Sequence, residues 1–128
     1  MSVEKLDAIL ARQLPQAEKI RRADHVIDVE LDDGTTDDAY LATLATVLPR
    51  AIDRARPDLA VYLAGADPFE GDRLGRLGLT KAGLADRDRM VLDRLGALGI
   101  PVAIAMAGGY AEDVDDVVDI HVATGALA

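Results

Sequence analysis

The stretch LAVYLAGADPFEGD, residues 59–72, joins a near-continuous apolar run to a loop of carboxylates and glycines. An apolar run of this length, bounded by turn residues, is typical of a buried strand in a parallel sheet. Ligands of open parallel sheets gather at the carboxyl ends of the strands. The stretch therefore predicts a parallel sheet and places a candidate site at Asp67, just beyond the strand.

Hydrophobic periodicity and turn residues predict the elements on either side. Apolar residues recur at helical spacing in three segments, and Thr36 or Asp37 and Thr80 are suitable N-caps for the second and third. The segment HVIDVEL alternates and is rich in β-branched residues, which is typical of a strand. The predicted helices span 2–14, 37–55 and 80–98, and the predicted strands span 25–31, 59–65 and 100–109.

The alternation of strands and helices predicts the fold class. Strand, helix, strand, helix, strand is the order of βαβ units with a parallel sheet. Acidic residues at 112–116 open a further helix, whereas DIHVA at 119–123 indicates either a strand or a helix edge. We expect a single α/β domain over 1–128, built as a three-layer parallel sheet with helices on both faces.

Composition excludes several classes of partner. The formal net charge of -9 argues against nucleic acid and anionic membrane surfaces, which both require a basic footprint. The chain has no cysteine, so disulfides, thiolate metal sites and cysteine nucleophiles are excluded. Glu4 and Asp7 interrupt the apolar stretch that a signal peptide needs, and no apolar run is long enough for a membrane span. We expect a cytoplasmic protein that binds neither nucleic acid nor membrane.

Two loops leave the carboxyl ends of neighbouring predicted strands. They are GADPFEGD, after residue 65, and AGGYAED, after residue 106. Because the carboxyl ends of parallel strands meet at one edge of the sheet, we expect the two loops to face each other there. The sequence therefore places a candidate site between the two loops, next to Asp67 in the first.

Three segments in order resemble the histone deacetylase superfamily, most closely its class IV and bacterial deacetylase-like members. They are DVELDDGTTDDAYL, GADPFEGDRLGRLGLTKAGLADRD and AMAGGY. The resemblance covers 24–128, leaves 1–23 as a helical extension without it, and implies the C-terminal half of the arginase/deacetylase fold. It implies that Asp67 is a zinc ligand and that the Tyr110 hydroxyl stabilises an oxyanion. Gly108 and Gly109 would form the turn that lines the acyl channel.

The resemblance also implies that most of the catalytic set is missing. The family's paired histidines and Asp-x-His ligands precede the matched region, and this chain has only His25 and His121, which are not adjacent. A catalytic zinc site normally takes three protein ligands. We therefore expect no zinc binding and no turnover by this chain alone. The alternative is half of a split zinc-dependent deacetylase of acetylated amines, completed by a second chain.

Other interpretations of the same residues stay open. Asp67 before Pro68 is also a common turn opener. Glu70 and Asp72 either brace the loop or help Asp67 to hold a hard cation such as Ca²⁺ or Mg²⁺. Tyr110 is alternatively a half-exposed ring at a loop mouth, and the space between it and Asp67 could bind a small ligand.

A phosphate cradle and a homodimer are the remaining alternatives. AGGY between strand and helix resembles a phosphate-binding turn, but the acidic residues at 112–116 would repel an anion there. Part of a larger parallel sheet would leave bare edges and apolar surface, which favour association. Either the helix at 2–14 covers them or two chains pair as a homodimer.

Overall fold

The computed structural model describes residues 15–128, and the helix predicted at 2–14 lies outside them. The described chain forms two parallel strands and four helices, and strands and helices alternate from the second helix onward. In chain order they are α1 (Gln16–Arg22), α2 (Asp37–Ala55), β1 (Ala60–Gly65), α3 (Lys81–Ala97), β2 (Val102–Ala107) and α4 (Val114–Leu127). None of these helices is both long enough and apolar enough to cross a membrane.

The two strands confirm the predicted parallel pairing. They run in register from Ala60 opposite Val102 to Gly65 opposite Ala107. The strand predicted at 25–31 is wrong, because this segment forms no ladder and is almost entirely exposed. Its alternating pattern suits a half-buried strand, but a strand also needs a neighbour to accept its backbone hydrogen bonds, and neither β1 nor β2 pairs with it.

The helices predicted at 37–55 and 80–98 are confirmed to within a residue at each end. The Thr80 side chain caps α3 by accepting the Gly83 N–H at 3.0 Å, as its sequence position indicates. The C-terminal segment that was left open is a helix, α4, which contains His121. Asp113 caps this helix by accepting the Asp115 N–H at 2.9 Å.

The apolar core lies between the sheet and the helices on one side of it. Ile52 of α2 meets Val91 and Leu95 of α3 over the sheet residues Ala60 and Tyr62. A second cluster, beside the carboxyl ends of the strands, joins the loop after β1 to α3 and α4 through its buried residues Ala66, Phe69, Leu79, Leu84 and Ile120. The α/β class is confirmed.

The opposite face of the sheet is uncovered in the described chain. Val61 and Leu63 point to this face, and each is 67% exposed. The described helices therefore supply one covering layer, where the predicted three-layer arrangement has two. The apolar sequence of β1 suits burial on both faces, and one of its faces lacks a covering element within residues 15–128.

A buried carboxylate, Asp88, ties β1, α3 and α4 together. The Tyr62 hydroxyl donates to one of its oxygens and the Thr124 hydroxyl donates to the other at 2.5 Å. Arg87 donates from Nε to Asp88 at 2.8 Å and from Nη1 to the Gly65 carbonyl at 2.7 Å. Burial raises the pKa of the Tyr62 phenol; the Arg87 charge opposes this and Asp88 adds to it. Tyr62 is therefore a neutral donor.

We predict that Asp88→Ala lowers the free energy of unfolding by about 3–5 kcal/mol, because Arg87 would stay buried without its counter-charge. Asp86→Ala on the same helix is the matched control, since Asp86 pairs with Arg89 in an exposed ion pair. It should cost less than about 1 kcal/mol. Urea denaturation followed by circular dichroism measures both, and equal losses would contradict the assignment.

Candidate functional site

The two loops that were expected to meet do so at the carboxyl ends of β1 and β2. The backbone pairing continues past β1, because the Ala66 N–H donates to the Ala107 carbonyl at 3.0 Å. Immediately beyond it, the Asp67 carboxylate accepts the Gly109 N–H at 3.1 Å. The sequence-predicted residues Asp67, Gly108 and Gly109 are therefore in contact, and Tyr110 follows them in the chain.

The Asp67 carboxylate lies directly against Gly108. A Cβ atom at position 108 would stand 2.0 Å from Oδ2 and 2.1 Å from Oδ1 of Asp67. Gly108 and Gly109 have φ angles of +61° and +109°, a backbone conformation that glycine adopts without steric cost. Glycine at 108 is thus required both by the turn and by the space that the carboxylate occupies.

A further glycine, Gly75, packs against the backbone side of Asp67. A Cβ atom there would stand 2.0 Å from the Asp67 carbonyl oxygen. Gly75 is not among the site residues predicted from the sequence. The spacing Asp72-x-x-Gly75 could have pointed to it. An aspartate shortly before a glycine often accepts hydrogen bonds from the backbone N–H groups of the two or three residues that follow it.

Asp72 accepts backbone hydrogen bonds that hold its loop together. This supports the first of the two interpretations given from the sequence, in which Asp72 braces the loop. One of its oxygens accepts the Leu74 and Gly75 N–H groups at 2.8 and 2.7 Å, and the other accepts the Tyr110 N–H at 2.5 Å. Burial alone would raise the pKa of Asp72. These three N–H groups and the Arg73 charge outweigh burial and hold the pKa below its ordinary value.

Tyr110 is half-exposed, with 51% of the residue accessible to solvent. Its carbonyl accepts hydrogen bonds from the backbone N–H and the Nε of Arg73, at 3.2 and 3.1 Å. Glu70, in the same loop as Asp72, is exposed. The acidic start of α4 also follows this turn, which disfavours an anion there as the sequence indicated.

Within the part of the chain that the structure describes, a zinc site would need a group of ligating side chains. No group of three or more His, Asp or Glu side chains within residues 15–128 is arranged to hold a metal ion. Asp67 supplies one carboxylate, and one of its oxygens already accepts a backbone N–H. Structural and catalytic zinc sites take at least three protein ligands. That this chain alone binds no zinc stays a prediction.

Neither histidine belongs to a group of three or more potential metal ligands among residues 15–128. His25 lies in the exposed segment before α2, and His121 lies on α4 with a buried Nδ1 that has no hydrogen-bond partner. Among the described residues, Asp67 is therefore not part of a three-ligand metal-binding group.

Comparison with known proteins finds a family match over most of the chain. Residues 12–124 match the family model of the histone deacetylase domain. The match begins before residue 24, where the resemblance was expected to start. It includes both loops of the site.

Similar proteins extend well beyond the matched region. An uncharacterised protein of Picosynechococcus sp. is 44% identical over 95 residues, which are 74% of this chain and 32% of that protein. Histone deacetylase 2 of Arabidopsis thaliana is 38% identical over 91 residues, 70% of this chain and 24% of that protein. The chain thus spans about a third or less of these relatives.

A solved structure is similar in fold. The acetylpolyamine aminohydrolase of Burkholderia pseudomallei superposes with a TM-score of 0.61 at 24% identity. The superposition covers 79% of this chain and 29% of the other. It shows that the described helices and strands correspond to part of a larger α/β fold.

We predict that Gly108→Ala lowers the free energy of unfolding by about 1–3 kcal/mol, because the new methyl group meets the Asp67 carboxylate and alanine is strained at this φ angle. Gly96→Ala is the control, since a Cβ at 96 in α3 meets nothing within 4 Å. It should be neutral or stabilise by up to about 1 kcal/mol. Thermal unfolding of both variants checks this, and a neutral Gly108→Ala would contradict the close approach.

Proposed function

This chain belongs to the histone deacetylase family, and we propose that its two site loops form one wall of a deacetylase centre for acetylated amines. By this proposal the described residues do not turn over substrate unaided. One observation carries it: the Asp67 carboxylate is held against the Gly108–Gly109 turn, with Tyr110 next to it, and this group lies in the region that matches the family.

The chemistry of the wall suits acyl transfer. An amide carbonyl gains negative charge on oxygen when it is attacked, and a fixed hydrogen-bond donor stabilises that charge. The Tyr110 hydroxyl is the donor that this chain contributes. The glycine turn beside it adds no side chain next to the Asp67 carboxylate, and by this proposal it lines the path of the acyl group.

The remaining groups must come from outside the described residues. A general base and further metal ligands are needed, and the two reported relatives are about three and four times as long as the region that this chain covers. We propose that histidines on additional polypeptide complete the centre, either in the same molecule or on a second chain. We propose the cytoplasm as the compartment, with which the lack of cysteine is compatible.

The test compares the 128-residue chain with a chimera in which it replaces the matching segment of Arabidopsis Histone deacetylase 2. With zinc present, an acetyl-lysine peptide and an N-acetylated polyamine are the substrates. We expect background rates for the chain alone and turnover by the chimera. Asp67→Ala should remove chimera activity, Tyr110→Phe should lower it by about a hundredfold, and Glu70→Gln should keep it.

Zinc titration of the metal-stripped proteins by calorimetry accompanies these assays. We expect no micromolar binding by the chain alone and binding by the chimera that Asp67→Ala weakens. Turnover by the unaided chain would contradict the proposed division of the site. An inactive chimera that folds and binds zinc would contradict the role of the wall in catalysis.

The uncovered sheet face favours a second candidate, a self-associating module. Val61 and Leu63 form an apolar patch beside strand edges with which no other strand of residues 15–128 pairs. Exposed apolar patches and bare strand edges promote association, and a twofold pair is the commonest closed solution. We propose that two copies cover this face when no other polypeptide does.

We predict a concentration-dependent dimer for the isolated chain in sedimentation velocity, and a monomer for Leu63→Lys. Val122→Lys is the control, because Val122 is similarly exposed but lies on α4, away from the sheet face. The control should still dimerise. A monomer at all concentrations would contradict self-association, as would dimers of equal strength in both variants.

A further inference from the structure

Both peptide groups of Tyr110 are held by two consecutive residues of the facing loop. Its N–H donates to Asp72 Oδ2 at 2.5 Å. Its carbonyl accepts from the N–H and the Nε of Arg73 at 3.2 and 3.1 Å. The Tyr110 backbone is thus fixed on both sides of its α-carbon, which sets the direction in which the side chain leaves the main chain.

The Asp72 carboxylate is itself held in place. Its second oxygen accepts the N–H groups of Leu74 and Gly75, so the side chain has one orientation relative to its own loop. Gly75 in turn packs against the Asp67 carbonyl, too closely to tolerate a Cβ atom. Asp67 and the Asp72 carboxylate that holds the Tyr110 N–H therefore lie in one closely packed loop.

The turn before Tyr110 lacks stiffness of its own. Gly108 and Gly109 have no side chains to restrict their backbone angles, and glycine loses more conformational freedom on ordering than any other residue. The Tyr110 ring is half-exposed, so burial of the ring does little to position it. A charge-assisted hydrogen bond to the backbone is stronger than a neutral one and supplies the missing restraint.

We propose that Asp72 is a positioning residue, which fixes the Tyr110 backbone and so directs the phenol toward the space in front of Asp67. The role of that phenol rests on the proposed function. The backbone anchor itself can be tested without any activity. Asp72 is not a catalytic residue in this scheme, because it acts through Tyr110.

The test is NMR on the wild-type chain, Asp72→Asn and Glu70→Gln. Asparagine can still accept the Leu74 and Gly75 N–H groups, but its amide then turns a donor toward the Tyr110 N–H. We expect amide exchange at Tyr110 to accelerate about tenfold or more in Asp72→Asn, with shifted Tyr110 ring resonances. Glu70→Gln removes the same charge from the same loop and should match wild type.

A second measurement does not depend on any variant folding. In the wild-type chain, a through-hydrogen-bond coupling between the Tyr110 amide nitrogen and the Asp72 carboxyl carbon should be detectable. Absence of this coupling, or unchanged Tyr110 exchange in Asp72→Asn, overturns the anchor. Coupling together with accelerated exchange supports it.

The chimera separates the anchor from the proposed function. There, Asp72→Asn should lower kcat about tenfold to a hundredfold with KM retained, while Glu70→Gln leaves both unchanged. Accelerated Tyr110 exchange with an unchanged kcat overturns the positioning role. If the chimera is inactive with the wild-type loop and with both variants, the proposed function is overturned. The hydrogen bond between Asp72 and the Tyr110 N–H is then judged from the NMR measurements alone.

Discussion

The buried Asp88 carboxylate is the interaction on which the arrangement of this chain depends. It receives the hydroxyls of Tyr62 from β1 and Thr124 from α4, and it pairs with Arg87 beside it on α3. Arg87 also donates to the carbonyl of Gly65, the last residue of β1. The network thus reaches from the helix layer to the point where the site begins, two residues before Asp67.

The main effect of this network is to fix the position of α3 relative to β1, and its net contribution to the free energy of unfolding is smaller. Burying a carboxylate and a guanidinium costs several kcal/mol per ion, and their attraction offsets this only when partners surround them. Here Asp88 has three partners, and the Arg87 guanidinium also lies over the Tyr62 ring, 5.9 Å from its centre. Leu or Val at these positions could pack equally well but would not fix the register of α3 against β1. The end of β1, and hence Asp67, would then be less well defined.

Local sequence signals predicted most of the helices and strands. Whether a segment pairs as a strand depends on contacts with residues far away in the sequence, which local signals do not reveal. Thr80 and the periodic leucines of α3 marked that helix, because a cap and a buried stripe are both written in neighbouring residues. HVIDVEL has the pattern of a strand, but pairing depends on a partner that its own residues do not encode. DIHVA is too short for its period to separate strand from helix.

The site divides in the same way. The meeting of the two loops was predicted because the carboxyl ends of adjacent parallel strands lie at one edge of the sheet. The family resemblance singled out Asp67, Gly108 and Gly109 within those loops. The anchoring of Tyr110 by Asp72 and Arg73 joins residues nearly 40 positions apart, so only the folded structure displays it. The bond between Asp37 at the start of α2 and Thr80 at the cap of α3 is equally non-local.

The wall of the site can keep its shape without a metal because its carboxylates have protein partners. Asp67 accepts the Gly109 N–H and Asp72 accepts the Tyr110 N–H, so two successive amides of the turn are satisfied by the facing loop. A carboxylate held only by a metal would have no fixed position in its absence. Because one Asp67 oxygen bonds to the protein, the arrangement is set by β1, β2 and their loops, and further ligands would meet a preformed wall.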